Sequence, residues 1–365
     1  METRNLNNEA DWEDWSWHID NAIHDVEELE KYLVLNETER LALRKEIGTR
    51  IFITPYMLSL LETDRENGPL RKQFLPCVKK EHSLYFSNDV LHEEAACVTP
   101  HLIHKYKNRV ALLAYSTCAN YCQFCTRQRI TKHSFGKPIM HDLAMALEYI
   151  KKNTSINDVL ITGGDPLLMK TEHLAKLLEE LYQINHIKII RIGTRIPITL
   201  PMRINNELVS MLSRYSPLYI NIHINHVSEI TKQSERAILA LANIGIPLGS
   251  QSVLLHSIND NIDTLKELFE RLLQIKVKPY YLYQCEEVAG CENFIVHPSR
   301  GIKLLNDLCG MISGLAIPRY IIDTPGCFSK LTLAPRFVKE ISDETLYIDD
   351  GYGNIFLYNA NASAK

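Results

Sequence analysis

From residue 110 onward, short runs rich in β-branched and aromatic residues alternate with longer stretches in which leucines recur at helical spacing. The short runs are VALLAYST (110–117), DVLITG (158–163), IKIIRIG (187–193), LYINIHI (218–224), PLGSQSVLL (247–255) and KPYYLYQC (278–285). Between them, HLAKLLEELYQI and TLKELFERLLQI place their leucines on one face, as helices that cover a sheet must. Six such units predict a parallel sheet with helical crossovers, either doubly wound or part of a barrel. A seventh run, PRYIID (318–323), precedes a loop, and TLYIDDGYGNIFLY after it has the alternation and glycines of a hairpin. Residues 1–100 differ: DWSWHIDNAI and VEELEKYLVL carry apolar positions at helical spacing, and NETERLALRKEI opens like a capping box.

Composition narrows the class. A chain of 365 residues suits one large α/β domain with extensions, or two ordinary domains. With 45% hydrophobic and 23% charged residues it reads as soluble and globular. No apolar run is long enough to span a bilayer, and the acidic start, Met1–Asp14, does not resemble a signal peptide, so a cytoplasmic location is expected. A net charge of −4 gives no general pull toward nucleic acid; the basic cluster CTRQRITKH suits phosphate, carboxylate or solvent equally. Nine unevenly spaced cysteines argue for metal binding or reduced thiols over a disulfide framework. The isolated Cys77, Cys97 and Cys309 are expected to be buried small hydrophobes.

In parallel α/β folds, ligands gather at the C-terminal ends of strands. TCANYCQFCTRQR follows the first strand, GGDP the second, QCEE the sixth and DTPG the seventh, so these motifs should converge on one mouth. Cys118, Cys122 and Cys125 are spaced C-x3-C-x2-C. Three thiolates on a tight loop can hold three irons of a cubane cluster and leave the fourth open. A zinc site completed by a distant ligand such as His133, or chance clustering, also fits the spacing.

The same three-cysteine spacing is the signature of radical S-adenosylmethionine (SAM) enzymes. CTRQR, TGGDPLL, RIGTRIP, LPMRI, NIHINH, PLGSQSVLL, PYYLYQC and DTPGCFSK follow one another, from about Asp14 to about Gly351, much as in lysine 2,3-aminomutase and its relatives. The chain therefore resembles that family. The resemblance implies a partial (β/α)6 TIM-like barrel of the radical SAM type over 101–315, with a helical extension over 1–100 and a C-terminal segment over 316–365. It implies an isomerase that exchanges an α-amino group with a hydrogen on the neighbouring carbon, using a 4Fe–4S cluster, SAM and pyridoxal 5′-phosphate (PLP).

Residue by residue, Cys118, Cys122 and Cys125 would hold the cluster, and Lys330, in DTPGCFSK, would be the catalytic lysine that carries PLP. Arg127 would pair with the substrate carboxylate, a task suited to a planar two-pronged donor. Arg109, Tyr106 and Tyr283 would surround PLP. Gly163, Gly164, Asp165, His223 and Gln251 would line the SAM site. Read without the family, Lys330 and Arg127 are solvated charges, GGDP is a turn, and Tyr283 and His223 are core residues.

Where two aspartates receive the distal ammonium in the lysine enzyme, this chain has Glu286, followed by Glu287, and Asp323. Two carboxylates imply a cationic substrate side chain and argue against glutamate. Lysine is the first choice, arginine the second and ornithine the third. Two other departures concern the C-terminal part. Cys327, Phe328 and Ser329 stand where the family often has glycines, and Asn261 occupies the position of a zinc-binding cysteine. No cysteine follows Cys327, so no structural zinc is expected. Family membership also implies a reducing partner such as flavodoxin or ferredoxin and a homo-oligomer, with no nucleic-acid or membrane partner. A β-lysylating enzyme of a translation factor is a runner-up with the same chemistry. A zinc-stabilised binding protein using CTRQR as a contact is the alternative from another class.

Overall fold

The structure is a computed structural model that describes residues 9–45, 51–76, 86–131, 140–324, 330–335, 338–341, 345–349 and 355–359. Its centre is a ten-stranded sheet whose strands lie side by side in chain order. They are β1 (Cys97–Thr99), β2 (Leu102–Tyr106), β3 (Arg109–Tyr115), β4 (Asp158–Gly163), β5 (Ile189–Thr194), β6 (Leu218–His223), β7 (Leu248–Leu254), β8 (Lys278–Gln284), β9 (Arg319–Ile322) and β10 (Leu331–Ala334). Pairing from β3 to β9 is parallel throughout, while β1, β2 and β10 add antiparallel edges. Strand order never reverses, so the sheet is singly wound. Of the two architectures left open by the hydrophobic pattern, the partial barrel is the one formed.

Each predicted strand appears within a few residues of its expected limits, and period-2 alternation explains the two faces. In β6, Leu218, Ile220 and Ile222 are buried against the helical layer, whereas Tyr219, Asn221 and His223 line an interior cavity. The crossover helices answer with matching stripes: Leu174, Leu177, Leu178 and Leu181 are the buried face of helix Thr171–Tyr182. The core of this barrel therefore lies between strands and helices, and its lumen stays open and carries polar side chains among apolar ones.

The N-terminal extension forms helices Trp15–Asp20, Val26–Tyr32, Glu37–Lys45, Pro55–Thr63 and Pro69–Phe74 around a second apolar cluster that includes Leu29, Met57 and Leu61. The anticipated capping box is present: Asn36 Oδ1 accepts from the Glu39 N–H at 2.8 Å, and Glu39 Oε2 accepts from the Asn36 N–H at 2.9 Å. Asn261, at the position of a zinc ligand in the family, caps helix Ile262–Gln274 by accepting from the Thr264 N–H.

Beyond β10, β11 (Val338–Ile341), β12 (Thr345–Asp349) and β13 (Ile355–Asn359) form a separate antiparallel sheet, and β12 and β13 pair as the hairpin expected from alternation. Its glycine-containing turn lies outside the described residues, as do Cys77, His133 and residues 325–329. The other two isolated cysteines correct the expectation of burial. Cys97 is exposed because it sits on the edge strand, and Cys309 is only half-buried at the end of helix Pro298–Leu308. Each thiol instead satisfies a nearby carbonyl, Thr99 at 3.0 Å and Leu305 at 3.3 Å. Among the described residues, no helix is long and apolar enough to cross a membrane.

β4 ends on a backbone that only glycine tolerates. Gly163 has φ +128°, and a Cβ there would stand 2.2 Å from the Tyr115 carbonyl oxygen; one at Gly164 would stand 2.5 Å from that of Thr117. Gly163→Ala should therefore destabilise the fold by about 2 kcal/mol or more, from strain and overlap together. A denaturant titration of the metal-free protein, comparing midpoints with the unaltered chain, measures it.

Candidate active site

The lumen holds a cavity of about 740 Å³ whose lining includes the residues at the C-terminal strand ends. Cys118, Cys122 and Cys125, on the loop after β3, line it together with Gly163, Gly164 and Asp165 after β4, and His223, Gln251, Tyr283, Glu286, Asp323 and Lys330 from the later strands. Motifs separated by up to two hundred residues of sequence thus share one chamber, as strand-end placement predicts. Its size suits more than one small molecule.

At the cysteine end, burial pushes all three thiols up, that of Cys125 to about 12. Two donors point at the sulfurs: the Arg195 guanidinium donates to Cys122 Sγ at 2.7 Å, and the Arg127 backbone N–H donates to Cys125 Sγ at 3.4 Å. Among the described residues, no three His, Cys, Asp or Glu side chains converge on a point where a single ion would sit. Three thiols on one loop, lining one cavity, can each ligate one iron of a cubane.

Asp165 has both oxygens taken by the protein. Oδ1 accepts from the Thr194 hydroxyl at 2.7 Å, and Oδ2 from the Arg195 backbone N–H at 2.6 Å. Burial still pushes this carboxyl up to about 6, against those bonds. In this structure Asp165 holds the glycine loop against β5. His223 is held neutral by burial, with the Arg195 charge adding to it, and its pKa is pulled down to about 3; its Nε2 lies 3.1 Å from Asn225 Oδ1. Gln251 donates to the Tyr283 hydroxyl at 3.3 Å.

The opposite end is built around Asp323. One carboxylate accepts from Lys330 Nζ at 2.6 Å, from Lys105 Nζ at 2.8 Å and from the Tyr106 hydroxyl at 3.0 Å. Burial opposes ionisation of Asp323, but the two ammonium groups outweigh it and hold the carboxyl below its usual range. The Arg109 guanidinium lies 4.3 Å from the centre of the Tyr106 ring, and Lys330 Nζ lies 4.9 Å from that of Tyr283. Neighbouring residues Lys105 and Tyr106 reach the same carboxylate because the β2–β3 register shifts between Ile103 and Tyr106.

Glu286 is the unsatisfied acid of the chamber. Its Oε1 is buried and has no hydrogen-bond partner among the described residues, and burial, reinforced by the charge of Asp323, pushes its carboxyl up to about 7. Glu287 next to it is exposed. Arg127 already has one partner: Glu93, from the segment before β1, takes its Nε at 3.2 Å and its Nη2 at 2.8 Å. Nη1 reaches only the Thr162 hydroxyl, at 3.4 Å.

Lys105, Glu93, Arg195 and Glu229 were not singled out from sequence. Lys105 directly precedes Tyr106, and Arg195 lies within RIGTRIP, so both stood next to residues or motifs read from sequence. Glu93 and Glu229 lie in stretches with no distinguishing pattern.

A family model described as the radical SAM superfamily matches residues 112–272. The chain is 40% identical over 353 residues to L-lysine 2,3-aminomutase of Clostridium subterminale, covering 96% of this chain and 85% of that protein. It is 36% identical over 353 residues to L-lysine 2,3-aminomutase of Bacillus subtilis, covering 96% and 75%. Glutamate 2,3-aminomutase of Clostridioides difficile is 36% identical over 346 residues, covering 93% and 80%. Among solved structures, Streptococcus suis SuiB bound to S-adenosylmethionine aligns with a TM-score of 0.45 at 14% identity, covering 61% of this chain and 52% of that one.

The cysteine geometry makes a direct prediction. Cys122→Ala should abolish iron retention after anaerobic reconstitution, whereas Cys309→Ala, at the far end of helix Pro298–Leu308, should retain about four irons per chain. Iron analysis and the visible spectrum read both.

Proposed function

The chain belongs to the lysine 2,3-aminomutase family of radical SAM enzymes, and on that premise we propose that it moves the α-amino group of a basic L-amino acid to the β-carbon, with L-lysine as first substrate. The observation carrying the substrate class is the pair of acids at one end of the cavity, Glu286 with a buried unpartnered oxygen and Asp323 ringed by cations. An unpaired buried carboxylate oxygen asks for a donor. An ammonium or guanidinium supplies one, whereas a third carboxylate would add repulsion. The zinc-stabilised binding protein falls with family membership.

The residues present fit the family's cofactors. Three spread thiols with N–H donors on two sulfurs suit the cluster, with Cys118, Cys122 and Cys125 as its ligands. Gly163 and Gly164 line the cavity beside the cysteine loop, so this loop, with His223 and Gln251, would line the SAM site. Lys330, beside the Tyr283 ring, would carry PLP, with Tyr106 and Arg109 flanking it. When bound, the cluster and SAM supply hydrogen-atom abstraction at the β-carbon, and PLP supplies the delocalising ring over which nitrogen migrates.

The chain's own side chains then have separable tasks. Glu93 holds the Nε edge of Arg127, which aims the remaining edge of the fork at the substrate carboxylate. Lys330 leaves Asp323 to engage its cofactor, while Lys105 and Tyr106 keep that carboxylate in place. Glu286 receives the distal cation. Aromatic and apolar walls, including half-buried Tyr283 and buried Phe124, exclude water from the reacting centre. Arginine is the second reading, because a guanidinium has the donors to meet Glu286 Oε1 and Asp323 together. A low-potential donor such as flavodoxin or ferredoxin, a homo-oligomeric state and a cytoplasmic location complete the proposal.

Two tests follow. The reconstituted enzyme, given dithionite and SAM, is offered lysine, arginine, ornithine and glutamate in parallel; β-isomers of a basic amino acid should form, and turnover of glutamate alone would refute the substrate class. Glu286→Gln should lower kcat/KM for the best substrate by about 30-fold, the ~2 kcal/mol lost when a buried charge loses its partner. A cation needs the ionised carboxylate, so KM should fall as pH rises through about 7, and Glu286→Gln should flatten that profile. Separately, Lys330→Ala should lose the absorbance of covalently held PLP, and an unchanged spectrum would reject the assignment.

A further inference from the structure

Arg195 is the residue of the chamber whose side chain touches a cluster-loop sulfur, and nothing in the family's chemistry as described above assigns it a task. Nη1 donates to Cys122 Sγ at 2.7 Å. Nη2 donates to Glu229 Oε2 at 2.7 Å and to Gln73 Oε1 at 2.6 Å. The guanidinium carbon lies 4.4 Å from the centre of the Phe74 ring and 5.5 Å from that of Phe124, so apolar surface shields the charge from water. Glu229 is fully buried and fixed in turn by the Asn225 N–H at 2.9 Å, the His226 N–H at 2.8 Å and Gln73 Nε2 at 3.1 Å. Arg127, the other arginine near the thiols, has its guanidinium on Glu93 and presents only its backbone N–H to a sulfur.

We propose that Arg195, balanced by Glu229, is a positioning residue that sets how readily the cluster held at Cys122 accepts an electron. This rests on Cys122 being a cluster ligand, as in the function proposed above. Reduction adds one electron to the cluster, supplied by a low-potential one-electron donor, and moves no proton because Arg195 is protonated throughout. The added negative charge is stabilised by a cation in hydrogen-bond contact with a ligand sulfur, and the effect is large where solvent is excluded. Glu229 opposes it, but from the far side of the guanidinium, so the arginine dominates at the sulfur. The pair gives a reducible cluster without leaving a bare charge in the interior.

Two variants separate tuning from mere support. Glu229→Gln keeps the shape and an acceptor oxygen for the backbone N–H groups, and puts an amide NH2 in place of the oxygen facing Arg195, removing the opposing charge together with that one bond. Arg195→Gln/Glu229→Gln removes both charges and keeps the interior neutral, so one variant is available if the other holds no iron. Each is reconstituted, its iron counted, and its cluster titrated by EPR against redox mediators without SAM. At the wild-type midpoint potential the reduced-to-oxidised ratio should rise in Glu229→Gln and fall about tenfold in the double variant, a midpoint shift of about 59 mV for one electron. A purely structural role would change iron content or thermal stability and leave the midpoint of loaded protein where it was. Variants with about four irons and a wild-type midpoint would overturn the inference alone. A wild-type chain or Cys122→Ala variant whose iron content ignores the cysteines would overturn the underlying ligand assignment instead.

Discussion

The ion pair between Arg195 and the wholly buried Glu229 is the joint on which the mouth of the barrel depends. Arg195 immediately follows β5, and it binds in three directions. Its backbone N–H fixes Asp165 and with it the glycine loop after β4, its side chain fixes Cys122 in the loop after β3, and Glu229 fixes the segment after β6. Gln73 brings helix Pro69–Phe74 of the N-terminal extension to the same point. Breaking such a pair from one side leaves an uncompensated buried charge, which costs about 3–5 kcal/mol. Four loops that would otherwise move independently therefore share one polar anchor. The extension is attached to the barrel at the place where the chemistry is proposed to happen.

The lumen is the second constraint. A parallel barrel strand has two faces, and in most such folds both are apolar because the interior is packed. Here the outward face is apolar and the inward one carries Tyr219, Asn221 and His223 in β6, and Arg191 in β5 paired with Asp158 of β4 at 2.9 Å. Because the sheet does not close, the space can be left for ligands and its polar groups satisfied by one another or by what binds. The crossover helices cover the outside of this sheet, and the lumen is left unfilled.

Strands and crossover helices were legible because alternation and helical periodicity are local and strong. LYINIHI even carries both faces of β6 in its letters. Doubly wound and singly wound sheets share those local patterns, so the choice between them came only from strand order. The site was legible where a motif sits at a strand end, as with the three cysteines, Gly163 and Asp323. It was not legible where a partner arrives from elsewhere in the chain. Glu93 meets Arg127 across 34 residues, and Gln73 meets Glu229 across 156. Neither glutamate has a spacing that distinguishes it from a solvated surface acid. Lys105 was hidden differently, since strict alternation would point it and Tyr106 to opposite faces, and only the β2–β3 register shift brings both to Asp323.

Charge accounting at that end of the cavity links the proposed cofactor to the proposed substrate. Asp323 and Glu286 stand against Lys105 and Lys330, two acids and two cations. In this state Lys330 satisfies Asp323, and the carboxyl of Glu286, pushed up to about 7, needs no full charge at neutral pH. If Lys330 carries PLP as proposed, it no longer offers its ammonium to Asp323. Lys105 and Tyr106 would then retain Asp323, and Glu286 and Asp323 would face one lysine. A ligand ammonium or guanidinium restores neutrality and draws Glu286 toward ionisation, while an acidic side chain would face two carboxylates in a low-dielectric space. The proposed preference for a basic amino acid would thus rest on the departure of Lys330 as much as on the acids themselves. The lysine proposed to carry the cofactor would also open the cation site.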